Sequence, residues 1–485
     1  MELLYKSAFS IAAEIKAGNL SALETLEFFI SRVERHNPEL NAVVAFDYAR
    51  ARSRARAADA AAARGEDWGP LHGVPCTIKD ALRVEGLVTV GGDPAHRDHI
   101  PKANALAVQR FVDAGAVIFG KTNVPFLSSD LQSFNEVYGV TNNPWNVERT
   151  CGGSSGGAAA AVAAGLTPIE IGSDIGGSIR TPCHFNGVYG HKPSYGLVPQ
   201  RGHLPPGEHI FTEGDMAVVG PIGSSPYDLE KALDVLAGPP PEMAPAWSIQ
   251  LPEARCTGPE QLRVAVWADD DLCPVHPEIK AAITAAADCL EALGARVNHS
   301  ARPQFDTVKY LRNYRFLLGA AIGGSMPESV FEAMAEAVLS LDPDDHSDAA
   351  IMARAIGGPH RAWAREYERR EAWRHIWAEF FEDFDVLLCP CAFLPAFPHD
   401  HDPNIDARLL ECDGEQRPYW DVLFYAGLTI NGMLPATAVP LGLSGDGLPI
   451  GMQIAGNYLD DKTTLAVAKM LEREFRGFEA PPGFG

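Results

Sequence analysis

At 485 residues, the chain is long enough for one large domain or for roughly two to three ordinary ones. Hydrophobic residues make up 46% of it and charged residues 21%, a balance that is typical of a soluble globular protein with a buried core. The formal net charge of −23 argues against nucleic acid or an anionic membrane as the main partner, because both select surfaces rich in Lys and Arg.

The N-terminal part, residues 6–63, is predicted to be helical. Residues 21–24 form a capping box, apolar residues then recur at helical spacing, and residues 51–64 predict an alanine-rich helix. The first residues carry charge where a signal peptide needs an apolar core, and no window reaches the roughly 18 uncharged apolar residues of a membrane span. The nine cysteines include no CxxC pair. We therefore expect a cytoplasmic protein without a membrane partner.

From about residue 70, short β-branched runs alternate with helical patterns. Strands are predicted at 73–78, 115–119 and 169–171, and helices at 103–114 and 156–164. Strands that alternate with helices predict an α/β core.

The C-terminal half continues this alternation after an irregular segment. Residues 240–260 are rich in Pro, Ala and Gly and are predicted to resemble a linker. A strand and a helix are predicted within 262–300, helices within 304–384, a short strand at 386–388, and strands with one helix within 428–474.

The segment GAVIFGKT at 115–122 matches the phosphate-binding pattern GxxxxGK[ST]. A phosphate loop needs flexible middle residues and a helix that begins at the Lys-Thr pair. Here the middle residues favour a buried strand, and Pro125 follows soon after. We therefore expect no nucleotide cofactor at this segment.

The segment GGSSG at 152–156 matches GxSxG, the serine turn of α/β-hydrolases. That turn must follow a strand, and residues 146–151 are a poor strand, whereas 158–164 favour a helix. An α/β-hydrolase that uses Ser154 with a downstream Asp and His is therefore an alternative mechanism.

A third glycine segment, GSDIGGSIR at 172–180, places Ser178 after two glycines. Because glycines lack Cβ atoms, a substrate carbonyl can approach the backbone amides closely, next to the serine hydroxyl. An ordinary glycine turn is the other interpretation of this segment taken alone.

Together, GVPCTIKD at 73–80, GGSSGG at 152–157 and DIGGSIR at 174–180 resemble the amidase signature family. The 24 positions from Ser154 to Ser178 are also the spacing of the family. Further matches make the resemblance cover nearly the whole chain, at 120–123, 138–145, 190–193 and 447–456.

The resemblance implies a Ser-Ser-Lys triad. Ser178 would be the nucleophile that forms an acyl-enzyme, Ser154, after a cis peptide bond, would relay protons, and Lys79 would be the general base. The resemblance also implies an oxyanion hole and supporting residues, which are the amides of Ile175, Gly176 and Gly177 and the side chains of Ser155, Asp174 and Arg180.

Lys79 must be neutral to act as a base. A free lysine titrates near 10.4, so deprotonation at pH 7 costs roughly 4.6 kcal/mol. Burial can lower a lysine pKa by several units, and Thr77 and Ile78 favour a core strand. Asp80 would oppose the shift only if it faced the same way, whereas a strand sends neighbouring side chains to opposite sides.

The implied fold is α/β, with a large, mixed and twisted β-sheet covered by helices on both faces, in one domain over residues 1–485. N-terminal helices would occupy 1–69, the signature core 70–200, and a helical region at about 304–384 would shape the substrate pocket. Because that region is rich in aromatic residues, we expect bulky or aryl amides, anilides, carbamates or cyclic amides rather than free glutamine.

The implied activity is hydrolysis of a small-molecule amide, with water as second substrate and with no cofactor, metal or nucleic acid. A homodimer is one candidate assembly. Residues 399–402 (His-Asp-His-Asp) are interpreted as a polar loop rather than a metal site. The alternatives are a glutamine-hydrolysing amidotransferase subunit with a partner chain and a non-catalytic binding protein on the same scaffold.

Overall fold

The computed structural model describes residues 3–204, 211–324 and 326–485. In these ranges the helices are α1 (Ala8–Lys16), α2 (Ala22–Leu40), α3 (Tyr48–Ala63), α4 (Leu106–Asp113), α5 (Gly156–Ala163), α6 (Arg180–Asn186), α7 (Pro226–Leu236), α8 (Pro277–Ala292), α9 (Thr307–Gly323), α10 (Glu328–Ser340), α11 (Asp348–Gly357), α12 (His360–Asp383), α13 (Leu423–Asn431) and α14 (Asp461–Glu474). The strands are β1 (Val43–Phe46), β2 (Pro75–Lys79), β3 (Val117–Thr122), β4 (Phe134–Asn135), β5 (Gly139–Val140), β6 (Asn142–Asn143), β7 (Asn146–Thr150), β8 (Ile169–Asp174), β9 (Tyr189–Lys192), β10 (Val218–Gly223), β11 (Arg263–Val266), β12 (Arg296–Asn298), β13 (Val386–Pro390), β14 (Leu409–Cys412), β15 (Glu415–Pro418), β16 (Ala436–Leu443) and β17 (Pro449–Ala455).

Eight strands form one mixed sheet in the order β12-β11-β13-β17-β16-β9-β10-β8. The pairs among β12, β11 and β13 are parallel, and the pairs from β13 to β8 are antiparallel. Helix α14 packs against this sheet together with α7 and α8, and α5 and α6 pack against it as a second group. The predicted α/β class, with a large mixed sheet flanked by helices, is confirmed.

A second sheet contains three strands in the order β1-β3-β2. β2 runs parallel to β3, and β1 joins β3 antiparallel. The prediction of helices throughout 6–63 was wrong for β1. Asn41 adopts the left-handed conformation that ends α2, and the apolar, partly β-branched residues of β1 then pair with β3.

The longer predictions agree with the structure. Residues 240–258 contain neither helix nor strand, and α9 to α12 follow one another within residues 304–384. Most of the segment that matches a phosphate loop is β3, which includes both its Lys and its Thr. Among the described residues, no helix combines the length and the apolar character needed to cross a membrane.

Candidate active site

Lys79 is the last residue of β2, a strand with every side chain buried, and it has no exposed surface. Its Nζ lies 2.7 Å from Ser154 Oγ, 2.8 Å from Ser155 Oγ and 2.9 Å from Ser173 Oγ. All three partners are neutral hydroxyl groups, and a hydroxyl favours a charged ammonium much less than a carboxylate does.

Burial therefore determines the charge of Lys79. Desolvation lowers the pKa of Lys79 to about 7, although the negative charges of Asp174 and Glu170 oppose the shift. At pH 7 roughly half of the molecules then carry a neutral amine. Asp80 points the other way and accepts a hydrogen bond from Lys121 Nζ at 3.1 Å, so the predicted alternation along the strand is confirmed.

Ser154 follows the expected cis peptide bond after Gly153. β7 ends at Thr150 and α5 begins shortly after Ser154, so a strand does precede the serine turn. The prediction of a poor strand over 146–151 was therefore wrong. β7 pairs with β6 in a two-stranded hairpin rather than in the large sheet, and the Ser154 hydroxyl meets Lys79 rather than a histidine. This geometry differs from that of an α/β-hydrolase.

The residue before Ser154 is glycine because the surrounding backbone leaves no room for a side chain. A Cβ atom at Gly153 would collide with the carbonyl oxygen of Asp130 and the amide of Gln132. Asp130 is held in turn by Arg408 Nη1 at 2.8 Å and by the hydroxyl of Tyr419 at 2.5 Å. Packing against this backbone therefore fixes the entry to Ser154.

Ser178 lies in the loop between β8 and α6. It is 7% exposed, whereas Lys79 is 0% and Ser154 is 1% exposed, so the predicted nucleophile is the most accessible of the three. The amide of Ser155 donates to the carbonyl oxygen of Ser178 at 3.0 Å, which holds the two serine segments side by side. The structure brings these segments together, and the roles of their residues stay predictions.

Asp174 and Arg180 form a buried ion pair that holds the Ser178 loop. Arg180 Nη2 donates to Asp174 Oδ1 at 2.9 Å, and Arg180 Nε donates to Oδ2 at 3.0 Å. Burial alone would raise the pKa of Asp174, but the charge and hydrogen bonds of Arg180 outweigh it and hold the pKa at about 2. Both groups are therefore charged at neutral pH.

Arg180 also connects this loop to the C-terminal elements. Its Nη1 donates to Thr429 Oγ1 on α13 and to Gln453 Oε1 on β17, each at 2.7 Å. The placement of Ser178 thus depends on residues more than 240 positions away.

The predicted oxyanion amides fall into two groups. The N–H of Gly177, whose φ is +95°, already donates to Asp174 Oδ1 at 2.8 Å, so an oxyanion would have to share this donor. The amides of Ile175 and Gly176 have no acceptor within the described part of the chain. The Tyr314 hydroxyl donates to the carbonyl oxygen of Ile175 at 3.2 Å and so helps to orient this peptide.

Three polar residues beside Lys79 were not predicted. Ser173 Oγ lies 2.8 Å from Nε2 of His203, and Glu170 accepts from the backbone amide of Lys79 at 3.1 Å. Burial raises the pKa of Glu170 to about 7. Ser173 and Glu170 lie on β8 directly before the signature glycines, whereas His203 comes from a separate loop, for which the sequence spacing carries no signal.

Three further histidines, His72, His184 and His191, are fully or almost fully buried. Among the described residues, no group of three or more His, Cys, Asp or Glu side chains is arranged to hold a metal ion. The imidazoles of three buried histidines contact groups of the core, which are Ala58 for His72, Gly451 and Leu394 for His184, and Thr437 and Asp461 for His191.

A family model described as Amidase matches residues 24–465, which is most of the chain. The chain belongs to the amidase family. The resemblance carried by the glycine and serine motifs is therefore confirmed, and the family is one of enzymes that hydrolyse amides.

This amidase is similar to proteins whose names describe different activities. It is 34% identical to an indoleacetamide hydrolase of Bradyrhizobium diazoefficiens, over 96% of this chain and 86% of the relative. It is 31% identical to one subunit of the glutamyl-tRNA(Gln) amidotransferase of a Synechococcus strain, over 97% of this chain and 96% of the relative. A bacterial aryl acylamidase of the amidase signature enzymes has the same fold, with a TM-score of 0.82, 27% identity and coverage of 98% and 97% of the two chains.

Proposed function

We propose that this amidase hydrolyses carboxylic amides through Ser178, Ser154 and Lys79. The environment of Lys79 carries the proposal, because its buried amine has three hydroxyl groups, and no carboxylate, as hydrogen-bond partners among the described residues. Such an amine can accept a proton near neutral pH, which is what a general base requires.

In the proposed reaction, Lys79 takes the hydroxyl proton of Ser154 while Ser154 takes that of Ser178. Ser178 Oγ attacks the carbonyl carbon of the amide, Ser154 returns a proton to the leaving nitrogen, and the C–N bond breaks to leave an acyl-enzyme. Water then attacks this ester through the same relay and restores Ser178. One amide and one water give one carboxylic acid and one amine.

The amides of Ile175 and Gly176 are proposed to hold the oxyanion of the tetrahedral intermediates, with Gly177 as a shared donor. One such donor lowers the activation barrier by roughly 3–4 kcal/mol. Asp174 and Arg180 position this loop rather than react. Because Arg180 also reaches α13 and β17, we assign the whole chain to one catalytic domain.

We propose bulky or aryl amides, anilides, carbamates or cyclic amides as substrates. Apolar and aromatic side chains border the loop that contains Gly176. A Cβ atom added to Gly176 would lie 3.1 Å from the Leu423 side chain and 3.5 Å from the Tyr314 hydroxyl. The names of two similar proteins, an indoleacetamide hydrolase and an aryl acylamidase, point to the same class.

A kinetic panel tests this proposal. Aryl anilides, carbamates, cyclic amides, short aliphatic amides and glutamine are compared with purified protein, with Ser178→Ala as the matched blank. We expect aryl or bulky amides to give the highest kcat/KM. Preference for glutamine or acetamide would overturn the substrate class, and equal turnover by Ser178→Ala would overturn the nucleophile.

A glutamine-hydrolysing amidotransferase subunit is the second candidate, supported by the 31% identity to such a protein. It would require a partner chain and a surface that tolerates tRNA, which a net charge of −23 disfavours. Copurification of a second subunit, together with glutamine hydrolysis that depends on it, would favour this candidate over a free-standing amidase.

A further inference from the structure

A chain of hydrogen bonds leads from Lys79 through Ser173 to His203. Ser173 Oγ lies 2.9 Å from Lys79 Nζ and 2.8 Å from Nε2 of His203. His203 belongs to the loop that follows β9, and its backbone forms a bridge to Leu82, shortly after Lys79. The amide of His203 also donates to the carbonyl oxygen of Gln200 at 2.8 Å, so two backbone contacts hold this residue in place.

The hydroxyl of Ser155 has one proton, and the carbonyl oxygen of Ser173 fixes the direction in which this proton points. Ser155 Oγ donates to the carbonyl oxygen of Ser173 at 3.2 Å, and a carbonyl can only accept. Ser155 Oγ therefore accepts from Lys79 Nζ at 2.8 Å. One N–H of the lysine is committed in this way.

The hydroxyl of Ser173 can donate either to His203 or to Lys79, and the state of the imidazole decides between them. Burial and the neighbouring charge of Lys79 lower the pKa of His203 to about 3, so the ring is neutral at working pH. As part of the proposal below, we assign the proton of the neutral ring to Nδ1, so that Nε2 is an acceptor. Ser173 then donates to His203 and accepts a second N–H from Lys79.

We propose that His203, acting through Ser173, directs the lone pair of neutral Lys79 toward Ser154. A neutral amine has two N–H groups and one lone pair, and Ser155 and Ser173 take the two N–H groups. The lone pair is left for the hydroxyl of Ser154, 2.7 Å away, which is the group that a base must deprotonate. His203 is a positioning residue in this arrangement, and the inference rests on the proposed amidase function.

The carboxylates near Lys79 do not replace His203 in this role. Asp174 and Glu170 face Lys79 and raise its pKa through their charge, but neither carboxylate hydrogen bonds Nζ. They affect how readily the amine is protonated, whereas the orientation of its lone pair depends on the hydroxyl groups in contact with it.

The test compares His203→Phe and His203→Gln in the wild-type chain and in Ser173→Ala. Without an acceptor at position 203, the Ser173 hydroxyl turns to the Lys79 lone pair, so His203→Phe should lower kcat on an aryl anilide about tenfold with KM unchanged. His203→Gln restores an acceptor oxygen and should stay within about threefold of wild type. In Ser173→Ala, His203→Phe should have no further effect, because the connecting hydroxyl is gone.

His36→Phe is the matched control, since His36 is a half-buried histidine on α2 that contacts the Phe484 ring away from the site. It should leave kcat unchanged. Equal losses from His203→Phe in both backgrounds would show a packing role and overturn the inference. Equal losses in His203→Phe and His203→Gln would also overturn it.

A second readout separates this inference from the proposed function. The rate at which a fluorophosphonate labels Ser178 depends on activation of the serine but not on amide turnover. If the wild type is labelled yet hydrolyses no amide, the proposed function fails, and the same variants are compared by labelling rate. The tenfold decrease, the rescue by Gln and its loss in Ser173→Ala are expected there too, and their absence would contradict the role of His203.

Discussion

Two fully buried lysines lie on neighbouring strands of the three-stranded sheet, and their hydrogen-bond partners differ. Lys79 is the last residue of β2. Lys121 on β3 pairs in register with Ile78, the residue before Lys79. Lys79 Nζ meets three serine hydroxyls. Lys121 Nζ meets the carboxylate of Asp80 at 3.1 Å, the carbonyl oxygen of Leu82 at 2.7 Å and a threonine hydroxyl at 3.0 Å.

We infer from this difference that burial alone does not make a lysine a base. Burial lowers the pKa of both lysines, but the charge of Asp80 opposes the shift at Lys121, and that of Lys121 opposes the rise at Asp80. Asp80 is adjacent to Lys79 in sequence, yet strand alternation gives its carboxylate to Lys121. We infer that Lys79 supplies the base and that Lys121 holds the sheet together.

The largest expected difference between the two lysines is in turnover. Lys79→Ala removes the proposed base and should lower kcat/KM on an aryl amide by roughly 10⁴-fold. Lys121→Met should retain most of the activity per folded molecule, since Lys121 contacts none of the proposed reacting groups. The kinetics of both variants are compared with wild type, and circular dichroism verifies that each is folded.

The second largest effect is expected on the free energy of unfolding, when Lys121 is replaced. Lys121→Met leaves the buried Asp80 carboxylate without its cation, so the free energy of unfolding should decrease by about 3–5 kcal/mol. Urea denaturation measures this change. Asp80→Asn combined with Lys121→Met serves as control and should recover part of the loss, whereas a loss as large in the double variant would contradict a paired role.

The pH dependence of stability should separate the lysines further. The folded-state pKa of Lys79, about 7, lies below the unfolded value near 10.4, so the unfolded chain binds more protons between these values and stability rises with pH. Between pH 6 and 9, wild type should gain roughly 2–3 kcal/mol relative to Lys79→Met. An unchanged difference across this range, in urea titrations at several pH values, would mean that Lys79 is not desolvated.

The smallest effect concerns the loop rather than the base. Tyr314→Phe removes the hydrogen bond to the carbonyl oxygen of Ile175 and should lower kcat roughly three- to tenfold, with little change in the pH profile. Tyr310→Phe is a matched control, because the Tyr310 hydroxyl donates to Leu428 in the core instead. If the two variants lose kcat equally, Tyr314 has no particular role at the oxyanion loop.

Local patterns indicated the candidate site residues more readily than the residues that surround them. Lys79, Ser154 and Ser178 could be found because each lies in a short glycine- or serine-rich motif with fixed order and spacing. His203 could not be found in this way, since its contact with Ser173 joins residues 30 positions apart without any motif of its own. Such contacts depend on how loops pack, which periodicity does not report.

The fold was predictable in class and less so in detail. Alternating strands and helices indicated the α/β sheet, whereas β1 was missed because four residues between two strong helices carry little strand signal. Tyr310 lies in the helical region that was expected to shape the pocket, but it is a fully buried core residue whose hydroxyl donates to Leu428 and accepts from Trp377. An aromatic pattern marks burial but does not distinguish a pocket wall from a core.

Activation of Ser178 by neutral Lys79 is the step on which the proposed function depends. It is tested most directly by the rate at which a fluorophosphonate labels Ser178 between pH 5 and 9, in wild type, Lys79→Ala and Lys121→Met. We expect the wild-type and Lys121→Met rates to rise with a single ionisation near pH 7, and the Lys79→Ala rate to be low and flat. A Lys79→Ala rate that matches wild type at every pH would contradict activation by Lys79 and favour a histidine-dependent serine.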